Sequence, residues 1–461
     1  MDCGAEKTRV PLLMRDRSFY HTFLILAGTL ILEQAVVLSV NLADNLMIGS
    51  YNETALAAVA AVNQIVFVVQ QVIYGVTNGV IVLSSQYWGK QQTAPIRRLV
   101  SLGLRLEAAL SLVFFAVVSL WPAQCVGLFV TDAAIIAEGV RYLHVIRFTF
   151  PFFAVTTVLL GAMRSVETVS LALKVSVVSL VTNCVINYIL IFGHFGAPAM
   201  GVEGAALATV ISRYAELLIV AGWVHANPEK NPYIVGAYRS LYLPGKLLKS
   251  IVIKGMPLLV NEALWSSGMA FLNQCYSTCG LDVVPAMNIS NTLFNLASVV
   301  FLSLGNGVGI LMGQLLGSDT TEDVVRDTNR KLLTLSVASG VFFGVLMAAF
   351  STLFPRIYNT TDAVRQLATW LICIQAAYMP FDSYANATYF TLRSGGQTFV
   401  TFLFDSCFLW VCCVPLAYCL SRFTGISILP LFIICMSANL LKCVIGAWML
   451  KQGKWIQNLT V

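Results

Sequence analysis

An apolar stretch near the start of the chain, residues 32–49, carries a carboxylate close to each end. Glu33 and Asp44 are eleven residues apart, which is about three helical turns and places both on one face, together with Asn41. An acid kept in apolar surroundings usually faces a protein interior or a wet cavity, and it marks a route for ions, protons or substrate. The alternative is that an acid such as Glu33 hydrogen-bonds a neighbouring helix and fixes its packing.

A second apolar stretch, residues 255–273, holds another acid, Glu262. Trp265 follows almost one helical turn later, and the face of its ring could hold an organic cation. A tryptophan in the middle of a helix also commonly serves packing, and Glu262 is open to the same structural alternative as Glu33. Both readings stay open for this pair, a site for an organic cation and a role in helix packing.

Two polar stripes at helical spacing follow in the second half of the chain. Because residues three or four apart share one face of a helix, each stripe is predicted to lie on a single surface. A helix surrounded by apolar neighbours would show neither stripe, so these faces are predicted to line water or ligand. With Asn41 and Trp265 they form a predicted substrate cavity. The first stripe is Tyr378, Asp382, Asn386 and Tyr389, and the second is Asn288, Asn291 and Asn295.

The composition identifies the surroundings of these residues as a membrane. Of 461 residues, 58% are hydrophobic and 11% are charged, whereas soluble globular chains carry about 25% charged residues. Twelve segments approach the length of about 20 apolar residues that a bilayer span requires. The predicted fold is all-α and polytopic. The predicted spans are 18–48, 55–85, 97–121, 138–163, 169–193, 202–226, 247–276, 283–313, 328–353, 364–391, 399–420 and 426–450.

The distribution of basic residues predicts the orientation. The net charge is +6, and with the N-terminus inside, most lysines and arginines between spans fall on one side. By the positive-inside rule, both termini are predicted to be cytoplasmic. The connection at the middle of the chain is rich in proline and glycine, which favours a linker. The predicted organisation is a tail at 1–17, an N-lobe at 18–226, a cytoplasmic linker at 227–246, a C-lobe at 247–450 and a tail at 451–461.

The two halves of the chain are related by an internal repeat. Residues 58–98 align with 286–326 without a gap, with about ten of 41 positions identical. Six spans in each half predict two lobes in parallel orientation, related by an axis along the membrane normal, with substrate between them. The matched pairs include Asn78 with Asn306, Gln86 with Gln314, Gly89 with Gly317, Arg98 with Arg326, Arg164 with Arg393, and Ser165 with Ser394.

These duplicated motifs resemble the multidrug and toxic compound extrusion (MATE) family of transporters. The likeness is carried by ALAAV at 55–59, Gly75, Gly79, SQYWGK at 85–90, GQLLG at 313–317 and LRSGGQ at 392–397. The resemblance implies two six-helix bundles that form a V around a cavity. It also implies antiport, in which organic and often cationic compounds are expelled in exchange for H⁺ or Na⁺ by alternating access.

The resemblance also assigns roles to single residues. Asp44 matches the acid that ends the first helix in this family, and Asn183 and Thr209 match a polar and a hydroxyl ligand of one branch. Four residues after Asn183 that branch often has Asp, and this chain has Asn187. The missing charge weakens the case for Na⁺ at this position.

The acids of the second half are matched less closely. Asp382 matches the spacing of a family acid on the tenth helix, and Glu262 matches only approximately an acid on the seventh. They are the predicted acidic site of the C-lobe.

The predicted coupling group is Asp44, Asn183, Asn187 and Thr209, with Glu33 on the face of Asp44. Asn183 and Asn187 project from one side of their helix, and their oxygens with the Asp44 carboxylate could replace the hydration shell of Na⁺, with Asp44 and Asn183 as ligands. The same group could instead carry H⁺ on Asp44. A third alternative, in which the two amides only bridge helices, also stays open.

The remaining charged residues receive smaller roles. Arg164 and Arg393 are expected to cap helix ends, with Glu167 as the partner of Arg164, and Asp405 is left without a role. Arg147 and Arg213 keep a second function open, a flippase for lipid-linked oligosaccharides.

The predicted function is secondary active multidrug export without a cofactor. The expected partners are small organic, cationic compounds and the lipid bilayer, with no nucleic acid, and the protein is expected to be a monomer in a prokaryotic inner membrane. An enzyme is not expected, because the four histidines are dispersed without a His-Glu-x-x-His pattern and no Walker motif occurs.

Overall fold

The chain folds into helices joined by short connections. The computed structural model describes residues 17–168, 170–238, 245–318, 320–358 and 360–460, and the side chain of Asn41 lies outside this described part. The helices of the first half are α1 (Arg17–Tyr51), α2 (Glu53–Gly89), α3 (Thr93–Leu120), α4 (Pro122–Gly127), α5 (Ala133–Ile146), α6 (Thr149–Ser165), α7 (Ser170–Phe192) and α8 (Val202–Ala226). Those of the second half are α9 (Gly245–Ser277), α10 (Val283–Gly317), α11 (Glu322–Phe350), α12 (Asp362–Ser394), α13 (Thr398–Phe402), α14 (Val414–Phe423) and α15 (Ile428–Gln452).

The predicted all-α fold with twelve spans is confirmed. Within the described residues, nine helical spans are long and apolar enough to cross a membrane, and the bent pair of α5 and α6 makes ten. The other two are α9 and α12, each 33 residues long with an internal proline. Both carry charged residues that lower their apolarity, among them Glu262 in α9 and Asp382 in α12. α1 to α8 form the first lobe and α9 to α15 the second.

Two of the predicted spans are irregular. The fourth is broken between α5 and α6, which are bent by 50°, and Pro151 in the first turn of α6 has no N–H to continue a helical ladder from α5. The eleventh contains two π-helical turns, Leu403–Cys407 and Leu409–Cys413, between α13 and α14. π-Turns shift the side chains that follow around the helix and are frequent at functional sites.

The lobes are separate at one end of the bundle and joined at the other. At the far end each lobe has its own core, around Val62 in the first and Leu371 in the second. At the opposite end the cores are shared, since Phe23 of α1 packs with Val308 of α10 and Ile251 of α9 lies in the core of the first lobe. We call this the basic end, because α2, α6, α10 and α12 end there among Lys90, Arg164, Arg326 and Arg393.

Glycines allow the lobes to approach along α2 and α9. A Cβ added at Gly255 would lie 2.8 Å from the backbone oxygen of Gly75. Small residues at such crossings let two backbones pack closely within a membrane. The central crossing of the two lobes is therefore a backbone contact.

The connection between the lobes is packed against the first lobe. Asn231 and Tyr233 are fully buried, and Tyr233, Ile234 and Ala237 join the core around Leu99. Tyr233 donates a hydrogen bond to the Asn231 side chain at 3.1 Å. The proline-rich segment thus connects the lobes as an ordered part of the first one, over residues 227–238.

Candidate functional site

The predicted coupling residues of the first lobe form a continuous hydrogen-bonded group. Asn187 Nδ2 donates to Asp44 Oδ1 at 2.5 Å and to Asn183 Oδ1 at 3.0 Å. Asn183 Nδ2 in turn donates to Thr209 Oγ1 at 3.4 Å, and the Thr209 hydroxyl donates to the Ala205 carbonyl at 3.1 Å. α1, α7 and α8 therefore bring together four residues that are far apart in the sequence. We call them the Asp44 group.

The two asparagines of the Asp44 group are buried, and one of their polar atoms lacks a hydrogen bond. Asn183 and Asn187 are 1% and 0% exposed, and the buried Oδ1 of Asn187 has no hydrogen-bond partner among the described residues. Buried amide oxygens almost always have a partner. A rotation of the Asn187 amide would aim this oxygen toward the Asp44 carboxylate, in place of the nitrogen that now donates to it.

A base lies near this group without bonding to it. Arg213 of α8 is within electrostatic reach of Asp44, but its guanidinium pairs with Glu216 at 2.7 Å and lies over the Phe153 ring, 5.4 Å from the centroid. The charge of Arg213 is thus largely balanced by Glu216. The Asp44 carboxylate has only an amide as its direct partner in the described part of the chain.

Glu33 does not belong to the Asp44 group, although both lie on α1. Eleven residues of helix separate them by about 16 Å, and Glu33, 5% exposed, forms a salt bridge with Arg164 at the end of α6. The prediction that Glu167 is the partner of Arg164 is wrong. Glu167 has a φ of +62° and its side chain is exposed. The chain leaves the helix at this point, so Glu167 turns away while Arg164 faces α1.

The second lobe contains a different kind of polar cluster. Asp405 accepts hydrogen bonds from Lys442 Nζ at 2.9 Å and from Asn261 Nδ2 at 3.1 Å. The Asn261 side-chain oxygen accepts from the Ser406 hydroxyl at 2.6 Å. Asp405, which received no role from the sequence, joins α9, α15 and the first π-turn. A π-turn departs from the 3.6-residue period, so helical spacing alone could not have placed this acid.

Glu262 and Asp382, the two acids predicted for the second lobe, lie around the Asp405 cluster and do not contact each other directly. Glu262 accepts a hydrogen bond from Gln71 Nε2 of α2 at 3.3 Å, across the boundary between the lobes. Asp382 is within electrostatic reach of Lys442, and Glu262 is within reach of Asp405 and Arg393. The second lobe therefore combines three acids with two bases, Lys442 and Arg393. We call these five residues the C-lobe charge cluster.

The predicted substrate cavity is not one surface. Tyr378 bonds to Ser437 at 2.6 Å and Asn291 accepts from Gln375 Nε2 at 3.1 Å, so both serve helix contacts. Asn261 reaches the Tyr389 hydroxyl at 3.5 Å, and the buried oxygen of Asn386 has no partner among the described residues. Trp265, Asn288 and Asn295 are exposed. Helical spacing identifies the polar face but does not distinguish a neighbouring helix from water.

A chamber of about 60 Å³ lies between the lobes at the basic end. Its lining includes matched residues of the repeat, and none of the predicted cavity residues is among the described residues that line it. The Arg393 guanidinium lies over the Phe390 ring, 5.3 Å from its centroid, and is within electrostatic reach of Tyr389. The polar lining is Gln34, Asn78, Arg164, Ser303, Asn306, Arg393 and Ser394.

Comparison with known families gives one consistent result. The family model described as MatE matches residues 29–189 and 257–419, one segment in each half of the chain. Among curated proteins, the chain is 24% identical over 384 residues to the "Probable multidrug resistance protein YoeA" of Bacillus subtilis, covering 82% of both chains. It is 24% identical over 406 residues to the "Multidrug resistance protein MdtK" of Edwardsiella ictaluri, covering 87% of both.

Solved structures agree in fold. A structure described as "Outward-facing conformation of a multidrug resistance MATE family transporter of the MOP superfamily" superposes with a TM-score of 0.84 at 17% identity, covering 94% of this chain and 95% of the other. The Vibrio cholerae MATE transporter VcmN in its bent form gives 0.85 at 18% identity, covering 95% and 97%. At these identities the likeness shows the two-lobe architecture.

Proposed function

Because this chain belongs to the MatE family, whose curated relatives are named multidrug resistance proteins, we propose that it is a secondary active multidrug exporter. In this proposal it moves organic cations out of the cell in exchange for H⁺ or Na⁺, by alternating access between its two lobes. It is a polytopic membrane protein, and we place it in a prokaryotic inner membrane as a monomer with both termini in the cytoplasm. No cofactor and no nucleic acid take part.

The observation that carries the proposal is the Asp44 group. A half-buried carboxylate whose direct partner is one amide is a poor structural element, because burial of an unpaired charge is costly. The same arrangement suits an acid that alternately holds and releases a cation. Either H⁺ bound to the carboxylate or Na⁺ held with the Asn183 and Asn187 oxygens would neutralise it.

The C-lobe charge cluster supports a separate role in cargo binding. Lys442 is hydrogen-bonded to Asp405 and lies near Asp382, so Asp405 is already paired and Asp382 shares the same positive charge. Among the described residues, Glu262 has Gln71 of the opposite lobe as its hydrogen-bond partner. Trp265, almost one turn further along α9, is exposed. We assign Glu262 and Trp265 to an organic cation bound between the lobes.

The lobes are the moving bodies of the cycle in this proposal. We take 18–226 and 247–450 as the two bodies and 227–246 as their cytoplasmic linker. The separate cores at the far end support a movement that opens one end of the bundle while the other end stays closed. Arg213 and Arg147, which kept the flippase alternative open, are engaged by Glu216 and by the rings of Phe115 and Phe148, which favours cationic cargo.

The proposal is tested in proteoliposomes that contain purified protein and a fluorescent organic cation. H⁺ and Na⁺ gradients are imposed separately on the wild type, on Asp44→Asn and on the matched control Asp362→Asn, whose carboxylate is 98% exposed. We expect one gradient to drive efflux in the wild type and in the control but not in Asp44→Asn. Gradient-driven efflux that survives in Asp44→Asn would remove the coupling role, and no efflux from the wild type under either gradient would remove the function.

A further inference from the structure

The lobes are joined at the basic end by two hydrogen bonds that repeat with the sequence duplication. Gln86 Nε2 of α2 donates to the carbonyl of Ser394 in the other lobe at 2.8 Å. Its repeat partner Gln314 of α10 donates to the carbonyl of Ser165 at 3.1 Å. Both glutamines are buried, so each bond lies out of water and bridges the end of one lobe to the end of the other.

The backbones at this junction are in direct contact. A Cβ added at Gly89 would lie 1.8 Å from the Gln314 carbonyl oxygen, and one added at Gly317 would lie 1.8 Å from the Gln86 carbonyl oxygen. Only glycine permits so close a passage of two backbones. The helix ends of α2 and α10 therefore form a reciprocal crossing, which we call the basic-end junction.

The segment after α15 lies across this junction and contacts both lobes. In the first lobe, Leu459 N donates to Gln86 Oε1 at 2.6 Å, Gln86 Nε2 donates to the Gln457 carbonyl at 3.2 Å, and Lys90 Nζ donates to the Thr460 carbonyl at 3.3 Å. The Leu459 side chain packs on the core that the first lobe shares with Ile251 of α9, and it also lies beside Gly396 of the second lobe. The end of the chain is thus anchored on α2.

The start of the same segment is anchored in the second lobe. Trp455 is 1% exposed and belongs to the core that contains Leu304 and Leu392. Gln397 donates to the Lys454 carbonyl at 2.6 Å. Among the described residues, the Gln314 side chain hydrogen-bonds to the Ser165 carbonyl and not to this segment, whereas the Gln86 side chain bonds to it twice. The segment therefore engages one of the two repeated glutamines.

We propose that residues 453–460 act as a strap that holds the basic end of the transporter closed and must release its Leu459 end from α2 before that end can open. This rests on the proposed function, in which the basic end faces the cytoplasm and admits cargo. The strap joins the lobes through Gln86, so its release also weakens the Gln86 bond to Ser394. Trp455 stays in the second lobe and guides the strap back.

Hydrogen–deuterium exchange of the protein in lipid nanodiscs tests the strap independently of transport. We compare the wild type with a chain truncated after Gln452, with the milder Leu459→Ser, and with Gln86→Leu and its matched repeat variant Gln314→Leu. Loss of the strap is expected to raise exchange at residues 84–90 and 312–318 about tenfold, which corresponds to about 1.4 kcal/mol. Exchange at the far end should not change.

Combining the truncation with each glutamine substitution tests whether the strap acts through Gln86. In the truncated chain, Gln86→Leu should increase exchange much less than it does in the full chain, because the effects of coupled residues are not additive. Gln314→Leu should increase exchange equally in both chains. The strap proposal is overturned if the Leu459 amide of the wild type exchanges at an unprotected rate, or if Leu459→Ser leaves the exchange at residues 84–90 unchanged. A wild type that shows the protected strap but no gradient-driven efflux would contradict the proposed function and leave the strap intact.

Discussion

The polar groups of the two lobes differ in how their acids are balanced. In the first lobe Asp44 has an amide as its direct partner among the described residues, while in the second lobe Asp405 is held by Lys442 and by Asn261. An acid that is already paired has little to gain from an incoming cation. In the proposed transport cycle, this difference places ion exchange in the first lobe and a structural charge balance in most of the second.

The repeat shows how this difference arose on a common frame. The offset that aligns Ala58 with Ala286 also aligns Glu33 with Asn261. Glu33 pairs with Arg164, whereas Arg393, the repeat partner of Arg164, lies over the Phe390 ring. The duplication kept both arginines and the basic-end junction, while the partners of the arginines diverged. The two lobes share a helical framework and differ in the polar residues that it carries.

The largest expected effect comes from removal of the Asp44 charge. Asp44→Asn should lower gradient-driven efflux by about 100-fold, while the affinity for an organic cation, measured by fluorescence titration in detergent, should change less than threefold. Glu262→Gln in the same titration is the control for a cargo residue. Equal losses of cargo affinity in both variants would show that the lobes do not divide these tasks.

The next effect is on stability in the second lobe. Lys442→Met leaves Asp405 and Asp382 without their base, and should cost roughly 2–3 kcal/mol because the charges that remain are largely buried. Thermal unfolding in detergent measures the loss. The double variant Lys442→Met, Asp405→Asn should recover a large part of it, and a double variant as unstable as the single one would contradict the pairing.

A gain of charge in the Asp44 group should change its ion preference. Asn187→Asp places a second carboxylate beside Asp44, and the Na⁺ concentration for half-maximal efflux should fall about tenfold. Asn187→Ala is the matched control, because it removes the amide without adding charge. A Na⁺ dependence that is the same in both variants would show that Na⁺ does not bind in the Asp44 group.

The smallest expected effect is at the boundary of the lobes. Glu262→Gln keeps a hydrogen-bonding partner for Gln71, so efflux should fall by about threefold to tenfold, mainly through a higher KM for cargo. Gln71→Leu tests the other side of this bond. A Glu262→Gln variant that loses all transport with unchanged KM would move the coupling role into the second lobe.

The sequence predicted the helical spans, the duplication and the Asp44 group, because apolar length and repeated polar motifs are local patterns. It could not pair Glu33 with Arg164, since 131 residues separate them and Glu167 was nearer in the chain. Asp405 was missed because a π-turn changes its direction. Tyr378 and Asn291 were assigned to a cavity because spacing shows polarity and not what the polar face meets.

The crossing of Gly89 and Gly317 suggests a practical tool. A methyl group at either position would collide with a backbone oxygen of the opposite lobe, so alanine there acts as a molecular wedge. Gly89→Ala and Gly317→Ala would each force the helix ends apart. In the proposed transport cycle they would favour a state in which the basic end is open, and they are therefore starting points for its structure determination.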